Sequence, residues 1–171
     1  MTRSIFLGAL LVAALSLVLP SGESYAAGSS DGGSSASSTK SAAKVRNKDP
    51  NYAAAMKAVK SESWSQAVAL LRKVVATDGT DADAQNWLGF SYRKAGDFDS
   101  AFKHYALALD LNPNHQGAHE YLGEAYLETD DLKMAQNHLK KLGKICAYDC
   151  DAYRGLSKAV KAYKKTHNTG Y

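Results

Sequence analysis

The chain has 171 residues, 21 Lys and Arg against 17 Asp and Glu, and a formal charge of +4. So mild a balance is no argument for a nucleic-acid partner. Only three prolines interrupt an alanine-rich sequence, and no segment alternates apolar and polar residues as a half-buried strand does. The pattern is that of an all-α protein.

The first 26 residues read as a secretory signal peptide. Arg3 gives a positive start, Ile5 to Leu19 is free of charge, and Ser24-Tyr25-Ala26 places small residues for cleavage after Ala26. The apolar run is short for a membrane span, which needs about 20 residues. The expectation is a secreted or periplasmic protein that touches membrane only through this segment, if it stays uncleaved. Residues 27–47 follow as a Gly/Ser-rich tether. From 28 to 48 there is no aromatic residue and one Val, too little apolar surface to offset ordering entropy. It reads equally as a stalk or as a plain disordered leader.

From residue 48 the chain repeats itself with a period of 34. Leu88, Gly89, Tyr92 and Ala101 recur as Leu122, Gly123, Tyr126 and Ala135. One period earlier stand Ala54, Ala55, Ala58, Ala67 and Leu71, a degenerate copy. The units are 48–81, 82–115 and 116–149. First helices are expected near 50–60, 82–94 and 116–128, second helices near 64–77, 98–110 and 132–144. Ser63 and Gln66 have the spacing of a capping box. Gly96-Asp97 ends one helix and caps the next, and Asn112-Pro113-Asn114 is a turn. Gly89 and Gly123 fall mid-helix, where Gly is unfavourable by roughly 1 kcal/mol, so a crossing helix must need the room. Residues 150–166 form a last helix that caps the array, with a short tail at 167–171. Leu156, Ala159, Val160 and Tyr163 share one stripe, and Lys158, Lys161, Lys164 and Lys165 lie on the other side. Those lysines read as a solvated face or as a patch for nucleic acid or lipid.

The Leu-Gly, Tyr, Ala, aromatic and Pro positions of the second unit resemble the tetratricopeptide repeat (TPR) family. The third unit lacks the closing Pro, with Ala147 in its place, and the resemblance spans about 60% of the chain. It implies an α-solenoid of three helix-turn-helix repeats with a capping helix. It also implies a non-enzymatic scaffold that binds a protein or peptide on the concave face lined by first helices. In this family repeat positions 2, 5, 9, 12 and 13 point into that groove. The resemblance carries them onto Asp49, Tyr52, Met56, Val59 and Lys60 in the first unit. In the second they are Asp83, Asn86, Phe90, Arg93 and Lys94, and in the third Gly117, Glu120, Glu124, Leu127 and Glu128. The clamp some members use for carboxylate tails is missing, since only Asn86 stands near a matching position.

Glu120, Glu124 and Glu128 recur every four residues and form one acidic stripe. The stripe fits a basic peptide, or a solvated helix whose glutamates pair with Arg93 and Lys94. Cys146 and Cys150 are the only cysteines. An even count in an oxidising space suggests a disulfide; the alternative is a thiol or soft-metal site and a thiol- or metal-handling function. His104, His115, His119, His138 and His167 read as scattered surface residues, with His104 and His138 facing outward. No nucleophile elbow, phosphate-cradling loop or metal pair with a general base is present. The expectation is therefore no enzyme activity, no cofactor and no metal. A homo-oligomer stays possible through exposed ends.

Overall fold

A computed structural model describes residues 49–167. The signal peptide expected at 1–26, the tether at 27–47 and all but the first residue of the tail lie outside them. Among the described residues seven helices follow one another. They are α1 Pro50–Lys60, α2 Trp64–Thr77, α3 Ala82–Lys94, α4 Phe98–Leu111, α5 Gln116–Glu128, α6 Leu132–Ile145 and α7 Asp151–Thr166. Each packs on the next, and α5 also packs on α3 and α7, so α1, α3, α5 and α7 form one layer and α2, α4 and α6 the other. No helix among the described residues is long and apolar enough to cross a membrane.

The turn inside each pair repeats the period. Glu62, Gly96 and Asp130 have φ of 55°, 85° and 62°, the left-handed conformation that ends a helix. The next amide reaches back five residues in every case: Ser63 to Ala58, Asp97 to Tyr92 and Asp131 to Tyr126. Asp97 and Asp131 then cap α4 and α6 through their carboxylates. The capping box expected at Ser63 is not made. Its hydroxyl turns to Ser61, 3.1 Å away, and gives α2 no side-chain cap.

The core is built in three clusters, joined by Tyr92 and Tyr126, each of which touches two of them. A Cβ on Gly89 would lie 2.8 Å from Tyr105 Cδ1 and 3.2 Å from the Ala101 carbonyl. The second helix of that pair therefore crosses at Gly89, as its position implies. Gly123 differs. The group against it is Leu156 of α7, because Leu156 stands one further period on from Leu88 and Leu122. The capping helix is thus a fourth first helix without a partner.

The histidines are not a scattered surface set. His119 and His138 are buried, and their Nδ1 atoms lie 2.9 Å apart. His104 stacks on Tyr92 and its Nδ1 sits 2.8 Å from Gln85 Oε1. His115 caps α5, accepting the Ala118 amide on Nδ1 while Nε2 donates to Asp83. Sequence spacing places His104 and His138 on second helices, His119 on a first helix and His115 at a turn. It does not show that the second-helix rings meet α3 and α5.

Candidate functional site

The layer of first helices carries the expected groove residues, and the structure sorts them by depth. Tyr52, Asp83, Phe90, Glu120 and Glu124 are half-buried, while Lys60, Lys94 and Glu128 are exposed. Met56 packs partly against the core cluster of Ala55, Leu71 and Leu88. Asn86, Arg93 and Leu127 are buried, at 4%, 5% and 8% exposure, so they shape the groove from beneath. Asn86 lies beside Gly117, its amide nitrogen 3.4 Å from where a Cβ would stand, an ordinary contact. It is a packing residue here and not an open contact.

Rings form the floor. Phe90 meets Trp64, Trp87 and Tyr121 with centroids 5.9, 5.5 and 4.8 Å apart. Trp64, Trp87 and Tyr121 are not among the groove positions the repeat pattern gives. Trp87 is three residues before Phe90 on α3 and neighbours it by helical spacing; only the packing of α2 and α5 on α3 brings Trp64 and Tyr121 to Phe90. Edge and tilted contacts of this kind are worth about 1 kcal/mol each beyond their buried area, so the floor is preformed.

Arg93 sets the electrostatics. Its guanidinium lies 5.4 Å from the Phe90 centroid and 5.8 Å from that of Tyr121. Nη2 pairs with Glu124 at 2.8 Å and Nη1 donates to Glu128 at 2.9 Å. Burial pulls its pKa down, but Tyr105, Glu124 and Glu128 outweigh that and hold it above the ordinary value. Lys94 does not join the glutamates; its Nζ lies 5.7 Å over the Trp64 ring. The acidic stripe is therefore half neutralised from within the fold. Glu120 is left over. Its carboxyl lies directly on Gly155 of α7. Desolvation, with Glu124 of like charge beside it, pushes it up to about 7 against the partial relief of Arg93.

Beyond the rings lies a depression of about 430 Å³, lined by Arg93, Lys94, Glu124, Leu127, Glu128, Ala159, Ala162 and Tyr163. Five of these are expected groove residues; the other three come from α7. Tyr163 is fixed by donating to Asp130 at 3.0 Å. The small side chains of Ala159 and Ala162 leave the space open. Continuing the 34-residue period into the last helix is the signal that would have found this wall.

At the α6–α7 turn the Cα atoms of Cys146 and Cys150 are 5.9 Å apart and the sulfurs face each other at bonding distance. Ala147 and Tyr148 take φ of 50° and 65° to make this turn. Among the described residues no group of three or more His, Cys, Asp and Glu is placed to hold a metal ion.

The family model for anaphase-promoting complex, cyclosome, subunit 3 matches residues 60–142. The first TPR of Spaghetti bound to an HSP90 peptide superposes with a TM-score of 0.58 at 18% identity, covering 72% of this chain and 94% of that one. The chain has the tetratricopeptide-repeat (TPR) fold. The TPR fold is shared with the type III secretion translocator chaperone SycD of Yersinia enterocolitica, in complex with a peptide of the translocator YopD. That TM-score is 0.61 at 17% identity, over 71% of this chain and 92% of the other. Uncharacterized protein ycf37 of Pyropia yezoensis is 39% identical over 61 residues, 36% of this chain and 34% of that protein. The chain spans about a third or less of the curated relatives it matches.

Proposed function

We propose that this TPR protein is a non-enzymatic interaction adaptor that seats a segment of another polypeptide on the face of α1, α3, α5 and α7. The observation that carries the reading is the preformed ring floor of Trp64, Trp87, Phe90 and Tyr121 beside the 430 Å³ depression. An apolar anchor of a partner, bounded by Lys94 and the glutamates, suits such a surface. Two structural neighbours are described as holding peptides, which supports the same use of the fold here.

We place the protein in the periplasm or outside the cell, delivered by the 26-residue leader with cleavage after Ala26. In that oxidising space Cys146 and Cys150 form a disulfide that fixes α7 against α6. Intact mass with and without reductant, on protein taken from its own compartment, reads both points. A loss of residues 1–26 and a gain of two hydrogens on reduction are expected; free thiols would reject the bridge.

The groove is tested with photo-crosslinkers placed singly at Ala162, beside the depression, and at Ala106, exposed on α4. Capture of one polypeptide from Ala162, lost in the Phe90→Ala background and absent from Ala106, is the expected result. Equal capture from both positions would move the partner off the groove.

A further inference from the structure

Charge is divided unevenly along the described chain. Residues 49–131 carry seven Lys and Arg against thirteen Asp and Glu, whereas residues 132–167 carry nine against two. The array is therefore an acidic body with a strongly basic end, a division hidden by the overall +4. The cations of that end are ordered. Arg154, Lys158, Lys161 and Lys165 are spaced four, three and four residues apart, so they fall on one face of α7. All four are exposed. The opposite face holds Ala152, Leu156 and Val160, buried against α5 and α6. α6 repeats the arrangement, with exposed Lys133, Lys140 and Lys144 opposite buried Ala135 and Leu142.

The lysines are not consumed by internal pairing. Arg154 is held by Asp149 and Asp151, but Lys158, Lys161 and Lys165 enter no ion pair among the described residues. Beside the stripe, the turn before α7 raises Tyr148, 60% exposed, in edge-on contact with Tyr153 at 5.4 Å. Gly143 leaves room for the Tyr148 ring. The structure thus sets an aromatic pair beside a row of cations about 16 Å long, on the face of α7 opposite the one packed on α5 and α6.

We propose that the outer face of α7 docks on an anionic phospholipid surface, independently of the peptide groove. Three features favour a lipid headgroup layer over a protein or nucleic acid. The cations run along a convex helix and do not converge on a cleft that would grip a peptide. They are lysines, point charges on long stems that reach headgroups while the helix stays above them. The tyrosines suit the interface between headgroup and acyl chain. Each Lys near such a surface strengthens binding by several-fold, and the attraction fades beyond a Debye length of about 10 Å.

The test is co-sedimentation of the full chain with vesicles of phosphatidylcholine alone and of phosphatidylcholine with phosphatidylglycerol. Residues 1–48 carry Arg3, Lys40, Lys44, Arg46 and Lys48 and add their own attraction to anionic lipid, so the stripe is read as the drop from the parent to a stripe variant. Partition into the anionic vesicles is expected to exceed that into neutral ones by about ten-fold or more at low salt, and to shrink at high salt. The combined Lys158→Glu, Lys161→Glu and Lys165→Glu variant is expected to remove most of the preference. If it loses helicity, the corresponding triple Lys→Gln variant replaces it, with a smaller but clear drop. No preference for anionic vesicles, or a preference undiminished in the triple variant, overturns the proposal. So does capture of a DNA duplex or polyglutamate through the stripe by protein that ignores the vesicles.

Discussion

The Nδ1 atoms of His119 and His138 face each other at 2.9 Å, inside the wall between α5 and α6. His119 Nε2 lies 3.0 Å from the Pro113 carbonyl, so it donates there; in the neutral ring Nδ1 then accepts from His138. Desolvation by burial lowers both pKa values, with the His119 ring as a second cause for His138, which falls to about 4; Lys141 acts the same way on each.

Two buried groups make the stability of this protein depend on pH in opposite senses. For His138, the unfolded ring binds a proton near 6.5 and the folded one does not until about 4. Stability is whole above the unfolded value and falls as pH drops through this window, by roughly 3 kcal/mol. Glu120 is raised from 4.5 to about 7, so the folded state binds the extra proton and stability falls as pH rises through the same range. Water around its half-buried carboxyl reduces that effect to about 1 kcal/mol. Urea unfolding at pH 5 and pH 8 separates them. Glu120→Gln is expected to be more stable than the parent at pH 8 and equal to it at low pH. His138→Leu is expected to lose the acid-side fall. Parallel curves for parent and variants would contradict both assignments.

Removing Arg93 leaves Glu124, Glu128 and Glu120 without the cation that holds them together. Arg93→Met is expected to destabilise by about 2–3 kcal/mol, less than a fully buried pair because Glu128 reaches water. Adding Glu124→Gln should recover part of the loss in a double-mutant cycle. An Arg93→Met variant as stable as the parent would mean that the guanidinium contributes nothing net.

Gly123 has no room for a methyl group because Leu156 occupies the place of its Cβ. Gly123→Ala is expected to cost about 1–3 kcal/mol by overpacking. In the Leu156→Ala background the same change should cost much less, since the new methyl enters the cavity. Additive losses would show that α7 does not press on α5 at this point.

Glu62 and Gly96 sit at the same turn position with φ of 55° and 85°. Gly96→Ala meets nothing within 4 Å, so its expected cost of about 1 kcal/mol is purely conformational. Glu62→Gly should stabilise by roughly half as much, the relief of the strained backbone being partly offset by a more flexible unfolded chain. Thermal melting of the two variants should move in opposite directions.

The helices, their order and the caps at Asp97 and Gly96 were legible from the chain, because each depends on residues a few positions apart. The period of Leu88, Gly89, Tyr92 and Ala101 was enough to place the helix pairs and to name first-helix positions for a groove. Tertiary structure alone decided what those positions do. It buried Arg93 and Asn86, drew Trp64 and Tyr121 to Phe90, closed the depression with Ala159, Ala162 and Tyr163, and turned two supposed surface histidines into a buried pair. Burial and ion pairing depend on which faces of distant helices meet, and α5 meets α3, α6 and α7 at once. A period in sequence fixes the spacing of side chains along one helix; the dielectric around them is set by the neighbours that the stack supplies.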